Sequence, residues 1–548
     1  MFVLGLNGGL GHDPSVCLMR DHEILFMAEE ERYTRQKHAR HQAPIHATAA
    51  ALQHAGITMN DVDYIAASWM LNPTNQGALE GLLKSKSFLG LRVPKIVQSE
   101  HHLAHAMSAY FSSGYDDAAI LVVDGSDAEG FSTSIYKASG YHVEKIQSFP
   151  VHDSLGHFYD AATRYLGMKN GNEGKTMGLA CYGEVIDPIE PLEITEDGYQ
   201  VNLSNLFPDD NDDFGTIKMW FAWFEHQFGA SPYTRPEFNH NASQFHYEIN
   251  FTQHQKNVAA SVQRALERVL LNLAKQALHK SGSRNLVLSG GVALNCSANG
   301  FLLAQGIADS IYLMPASHDA GTALGSAQYC YQLYHPNPQK FQPLRSAALG
   351  SRFTNDDVAA TLKRYNIKAK RCDDIAATTA KSLAEDKVVG WFQGAMEVGP
   401  RALGQRSILA NPSRQGMLDH VNHIKGRETW RPLAPSMQRE HAADYLEIAD
   451  FEPFMLNARQ VKQEMRNEIA AVTHVDNSCR PQMVDKQTHG RYWHMLEHLK
   501  GYTGHPVTMN TSFNLRGQPI VCTPTEAIQT FYSSGLDCLA LEDFLLEK

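Results

Sequence analysis

His101 and His105, in Ser99-Glu-His-His-Leu-Ala-His105, stand four residues apart in a helical context and so share one face, the arrangement two imidazole ligands of one metal require. With 27 histidines in 548 residues such a pair also arises without a metal, so the reading leans on two acids. Asp124 ends the apolar run Ile120–Val123, where open α/β sheets place ligands, and Asp319 sits in Ser317-His-Asp-Ala-Gly-Thr322 just before a small-residue helix. Two histidines and two aspartates suit a divalent ion such as Fe, Mn or Zn, with no thiolate to favour one of them.

A second constellation is cationic. Between residues 399 and 439 seven basic side chains (Arg401, Arg406, Arg414, Lys425, Arg427, Arg431, Arg439) face two acids, Asp419 and Glu428, a local +5 inside a chain of net charge −11. Gly399-Pro400 and Pro432-Leu-Ala-Pro435 put these residues on loops, where arginine clamps phosphate in bidentate fashion; a solvated basic patch is the plainer alternative. The turn Ser289-Gly290-Gly291 reads either as a phosphate or nucleotide contact at a helix N-terminus or as a tight structural turn. Asn510-Thr-Ser-Phe-Asn514 offers neutral donors and acceptors for a nucleotide, or a capped turn. Asn170-Gly-Asn-Glu-Gly174-Lys175-Thr176 lacks the glycine spacing of a P-loop and is not one.

These residues need a scaffold. The pattern predicts strands over 2–7, 15–19 and 23–28, a helix over 45–55, a buried strand at 120–123, a long helix over 256–280 stopped by Ser281-Gly-Ser283, then strand 285–288 and a helix through 299–305. Region 205–250 has weak periodicity and reads as an excursion of uncertain fold, and three prolines within 335–343 mark a linker. No internal repeat is visible. At 43% hydrophobic and 20% charged the chain is of the compact globular kind, long enough for more than one folding unit. The acidic balance excludes a general polyanion coat, leaving only a local basic pocket. No apolar run reaches the roughly 20 residues of a membrane span, and MFVLGLNGGLGHD lacks a basic leader, so a cytoplasmic protein is expected. Eight scattered cysteines give neither a disulfide framework nor a thiolate zinc site.

Taken together, the sequence resembles the O-carbamoyltransferases that act on nodulation factors, aminoglycosides and cephalosporins. The resemblance runs through almost the whole chain. It rests on His12-Asp13, the His101/His105 pair with Asp124, Asn172-Glu-Gly-Lys-Thr-Met-Gly-Leu-Ala180, Gly290-Gly291, Gly399-Pro-Arg-Ala-Leu-Gly404, Arg431-Pro-Leu-Ala-Pro-Ser436 and Asn510–Asn514. It departs from the family at Asp124-Gly-Ser-Asp-Ala-Glu129, Ala180-Cys-Tyr-Gly183 and Gly517-Gln-Pro-Ile520.

The resemblance implies an α/β protein in two parts. Residues 1–345 would form an actin/sugar-kinase-like carbamoyl-transfer domain with the metal site, and 346–548 a domain similar to threonylcarbamoyl-adenylate synthase. It implies that carbamoyl phosphate and ATP, with Mg(II), give carbamoyl-adenylate and pyrophosphate, and that the carbamoyl group then passes to a hydroxyl of a small natural product or sugar derivative. Fe(II) would lie on His101, His105, Asp124 and Asp319, with Mn or Zn as substitutes; His12 would activate the acceptor; Lys425, Arg431, Arg480 and Asn510 would serve activation. Neither a membrane nor a nucleic acid is an expected partner, and a homodimer is left open. Two alternatives stand beside this: a tRNA-modifying carbamoyl transferase, disfavoured by the acidity, and a non-catalytic nucleotide-binding regulator on an actin-like scaffold.

Overall fold

A computed structural model describes residues 1–548 except 9–10, 69–78, 80, 86–87, 89–91, 187, 204–214 and 232–249. The described chain is mixed α/β and divides into two compact units, one formed by Met1–Gly114 with Met314–Lys548, the other by Tyr115–Leu313. The predicted boundary near residue 345 falls inside the first unit, between the helix Thr322–Tyr334 and the strand Ala348–Arg352.

In the first unit, β1 (Phe2–Asn7), β2 (Ser15–Arg20), β3 (Glu23–Glu29), β4 (Tyr64–Ala67) and β5 (Lys95–Gln98) form a sheet of order β3-β2-β1-β4-β5. β1 runs antiparallel to β2 and parallel to β4. The run FVLGLN is apolar without alternation because both of its faces are covered. Leu4 and Leu6 pack with Ala47, Ala51 and Leu52 of the helix Ile45–Ala55, whose bounds are those read from the sequence. On the other face the helix Thr322–Tyr334 comes so close that a Cβ on Gly5 would lie 1.9 Å from the Ala323 carbonyl oxygen.

The same unit contains an eight-stranded sheet. Its strands, edge to edge, are Lys370–Arg371, Phe544–Glu547, Cys538–Leu541, Val389–Phe392, Arg406–Ala410, Val507–Ser512, Ala434–Gln438 and Gln482–Val484. Successive residues serve opposite faces: Ile408 and Phe392 join one core cluster, Leu409 and Trp391 another.

In the second unit, β6 (Asp117–Val123), β7 (Phe131–Ser139) and β8 (His142–Pro150) are followed by the small hairpin β9 (Leu192–Thr195) and β10 (Gly198–Val201), then β11 (Asn285–Ser289) and β12 (Ser310–Leu313). The main sheet has the order β12-β11-β6-β7-β8, with β6 antiparallel to β7 and parallel to β11. This is the order and sense of the first sheet again. The repeat that the sequence does not display is therefore one of topology, the duplicated sheet that an actin/sugar-kinase-like part implies. The long helix spans Gln253–Ser281, slightly beyond the predicted range, with a Thr252/Gln255 capping box at its start and Gly282 in the left-handed conformation at its end. Region 205–250, an excursion whose fold the sequence leaves uncertain, contains the helix Gly215–Phe228, which buries Trp220, Trp223 and Phe224; 204–214 and 232–249 lie outside the described residues.

Candidate active site

The helix His101–Ser113 follows β5 and presents both histidines at its first turns. It crosses the helix Thr322–Tyr334 at small residues: a Cβ on Gly325 would lie 1.8 Å from the Ala104 carbonyl oxygen. That crossing brings His105, fully buried, to the turn Asp319–Gly321, which β2 holds through a Ser15 hydroxyl donating to the Ala320 carbonyl at 2.8 Å. Asp319 Oδ1 lies 3.7 Å from Nε2 of His101 and 3.8 Å from Nε2 of His105, and the two rings meet edge to face. These separations exceed a hydrogen bond and are within the span of two ligands each about 2 Å from one ion. The first unit thus brings together a two-nitrogen, one-carboxylate donor set that fits a borderline divalent cation.

His12 belongs to the same constellation. Its Nδ1 lies 3.7 Å from Asp319 Oδ2 and donates to Asp13 Oδ2 at 2.9 Å, leaving the other ring nitrogen for a ligand. The side chain is 44% exposed. Partial desolvation of the ring opposes its protonation, but Asp319 and then Asp13 outweigh that, and the imidazole is raised to about 9. Burial would raise the carboxyl of Asp13, yet His38, His12 and His318 hold it well below the usual carboxylate range.

Asp124, Gly290 and Gly291 belong to the second unit. Asp124 follows β6, and its Oδ1 accepts from the amides of Gly125 at 2.9 Å and Gly291 at 3.2 Å. Gly290 has φ +88, and a Cβ there would lie 2.2 Å from the Val123 carbonyl oxygen, so close packing of the βα turn on β6 already requires a glycine.

The basic stretch separates into two groups. Arg406 is fully buried, lies over the Phe392 ring at 3.6 Å and donates to the carbonyls of Gln393, Gly394, Ser351 and Gln405; Arg414 pairs with Asp386, and Arg439 with Asp485. These three are structural or peripheral, and charge counting had grouped them wrongly with the pocket. Arg401, Lys425, Arg427, Arg431 and Arg480 lie within electrostatic reach of one another: burial and then neighbouring cations depress Lys425 and Arg427 well below their ordinary values, and burial depresses Arg431 below its own, with Glu428 opposing and Arg480 and Arg516 adding to it. Glu428, 3.8 Å from Arg431 and 3.9 Å from Arg516, offsets part of that charge. Lys425 Nζ donates to the Ser512 carbonyl and to Asn514 at 3.0 Å, which docks it on the end of the Val507–Ser512 strand. Asn510 lies beneath, buried, its amide donating to Ser436 at 2.9 Å, Gln482 at 3.1 Å and the Ala402 carbonyl at 3.2 Å.

Two cations escaped the sequence reading. Arg516 repels Arg431 from the loop after Asn514, and Lys37, from the other end of the chain, repels Lys425. Arg516 stands two residues after the Asn510–Asn514 motif and was legible there; Lys37 had no local signal, since only the fold carries it to the cluster.

Residues 3–76 and 80–328 match the family described as Carbamoyltransferase N-terminus, and 380–548 match Carbamoyltransferase C-terminus. A protein of Synechocystis carrying no functional name is 35% identical over all of this chain and 96% of its own length. Nodulation protein NolNO of Sinorhizobium fredii is 34% identical over all of this chain and 83% of its own. Nodulation protein NolO of Bradyrhizobium diazoefficiens is 36% identical over 82% of this chain and 78% of its own. Among the described residues no helix is long and apolar enough to cross a membrane. The chain belongs to the carbamoyltransferase family and is a carbamoyltransferase.

Proposed function

We propose that this carbamoyltransferase activates its donor as carbamoyl-adenylate and delivers the carbamoyl group to a hydroxyl of a small molecule. The observation that carries the reading is the crowding of Lys37, Arg401, Lys425, Arg427, Arg431, Arg480 and Arg516, whose charge Glu428, and Glu31 and Asp13 beside Lys37, offset only in part, an arrangement whose repulsion a polyanion relieves. Carbamoyl phosphate and ATP are two such anions. Bringing them together requires the neutralisation and orientation that fixed guanidiniums provide. Atom balance calls for one water: the carbamoyl O–P bond opens to carbamate and inorganic phosphate, carbamate oxygen attacks the α-phosphorus of ATP, and pyrophosphate leaves. The adenylate then supplies the leaving group that a nitrogen-stabilised carbonyl needs.

For transfer, His12 accepts the acceptor's hydroxyl proton on the ring nitrogen that Asp13 does not use. It must be neutral to do so, and engagement of Asp319 by a cation would remove the largest influence holding it protonated. His101, His105 and Asp319 would hold that cation, and when bound it supplies Lewis acidity toward a carbonyl or phosphate oxygen. Mass spectrometry of hydroxyl compounds incubated with protein, ATP, Mg(II) and carbamoyl phosphate tests the reading. Carbamoylated product with AMP and pyrophosphate is expected; product formed without ATP would contradict it.

A further inference from the structure

The carboxylate beside His12 is held from its other side by a residue that the transfer reading does not use. Asp13 is buried and left-handed, at φ +53. One of its oxygens takes His12, and the other, Oδ1, accepts from His38 Nδ1 at 2.8 Å. The backbones are joined as well: the Asp13 amide donates to the His38 carbonyl at 2.9 Å, and the His41 amide to the Gly11 carbonyl at 3.1 Å. His38 is itself anchored, its amide donating to Glu31 Oε2 at 2.7 Å.

This joint is built on strained backbone. Arg35, His38, Ala39 and His41 all have φ between +35 and +64, a region bulky non-glycine residues avoid. Strain of this kind survives where the surroundings over-determine it, and it clusters at working sites. What it achieves here is visible. The turn carries the His38 ring to the Asp13 carboxylate at 2.8 Å.

We infer that His38 is a positioning residue for carbamoyl transfer. Resting on the reading of His12 as the transfer base, it pins the Asp13 carboxylate so that His12 keeps its Nδ1 proton on Asp13 and turns its other nitrogen to the acceptor. Without His38, one Asp13 oxygen loses its partner, the carboxylate gains freedom to rotate, and the orientation of His12 goes with it. The His38–Asp13 hydrogen bond itself involves no side chain of the cationic cluster.

The test compares His38→Ala, His38→Gly and His38→Asn in the full chain. Asparagine places an amide N–H where Nδ1 stands and tolerates the left-handed backbone, while glycine relieves the strain but makes no hydrogen bond. Two readouts are taken: carbamoyl-phosphate-dependent ATP–pyrophosphate exchange, and carbamoylation of whichever of chitotetraose, an aminoglycoside and glycerol the wild type accepts. His38→Ala and His38→Gly are expected to lower kcat for transfer about ten- to hundred-fold, the range for a residue that orients another. Exchange and the acceptor KM should stay within about twofold, and His38→Asn should recover most of the loss. In a His12→Asn background, His38→Ala should cost nothing further. Wild-type transfer by His38→Gly, a parallel fall of exchange and transfer, or no rescue by a folded His38→Asn would overturn the proposal alone. Wild-type transfer by His12→Asn would overturn the reading of His12, and this inference with it.

Discussion

The amide of Gly399 donates to Oε1 of Glu29 at 2.9 Å, and the carbonyl of Gly399 accepts from Arg32 Nη2 at 2.7 Å, so the glycine that opens the cationic stretch is held at both ends by the end of β3 and the turn after it. Its φ of +95 and the 2.5 Å that would separate a Cβ from the Pro315 carbonyl oxygen admit no other residue without displacement. Glu29 is therefore a joint between two parts of one unit, and it is buried.

That burial makes Glu29 a source of pH dependence. Desolvation raises its carboxyl from 4.5 to about 7, against the opposing pull of Arg32. Between those values the folded protein binds more protons than the unfolded chain, so the stability this group contributes is complete below about 4.5 and is lost as pH rises through 7. The shift corresponds to a contribution on the order of 3 kcal/mol. Glu29→Gln keeps an acceptor for Gly399 and removes the titration. In chemical denaturation between pH 5 and 8, the variant is expected to gain on wild type steadily as pH rises; a constant difference across that range would show that Glu29 does not titrate there.

Gly404 tests the packing under the pocket. It has φ +93, a Cβ would lie 2.3 Å from the Tyr492 ring, and its carbonyl accepts from Trp391 Nε1 at 2.9 Å. Gly404→Ala should lose about 2–4 kcal/mol of stability, read as a lowered melting temperature, since both the backbone and a buried ring must move. A melting temperature equal to wild type would mean that this loop accommodates a side chain without strain.

Metal analysis addresses the donor set directly. About one transition-metal ion per chain is expected from protein purified without chelator, falling sharply in the His101→Ala/His105→Ala double variant. Full occupancy in that variant would leave the two histidines a structural role.

Much of this was legible in the sequence because it is local. The helix at 45–55, the opening strands and the two short motifs that carry Arg401 and Lys425 with Arg431 are each read from neighbours a few residues apart, and their pattern survives without the fold. Arg406 misled because a charge count does not reveal that its guanidinium is spent on four backbone carbonyls over an aromatic ring. Lys37 was invisible because the strained turn that brings it to the cluster is set by pairings between residues 11–13 and 38–41. The second copy of the five-stranded sheet escaped notice because long segments between β8 and β11 separate its strands, and strand order is not a property of any one of them.

The most direct test of the central claim, activation of the donor as an adenylate in the cationic cluster, is isotope exchange between pyrophosphate and ATP. Exchange is expected in wild type only when carbamoyl phosphate is present. Arg431→Ala should reduce it at least a hundred-fold while remaining folded, and His12→Asn should leave it within about twofold. Exchange absent from wild type that nonetheless carbamoylates an acceptor, or undiminished in a folded Arg431→Ala, would contradict the account.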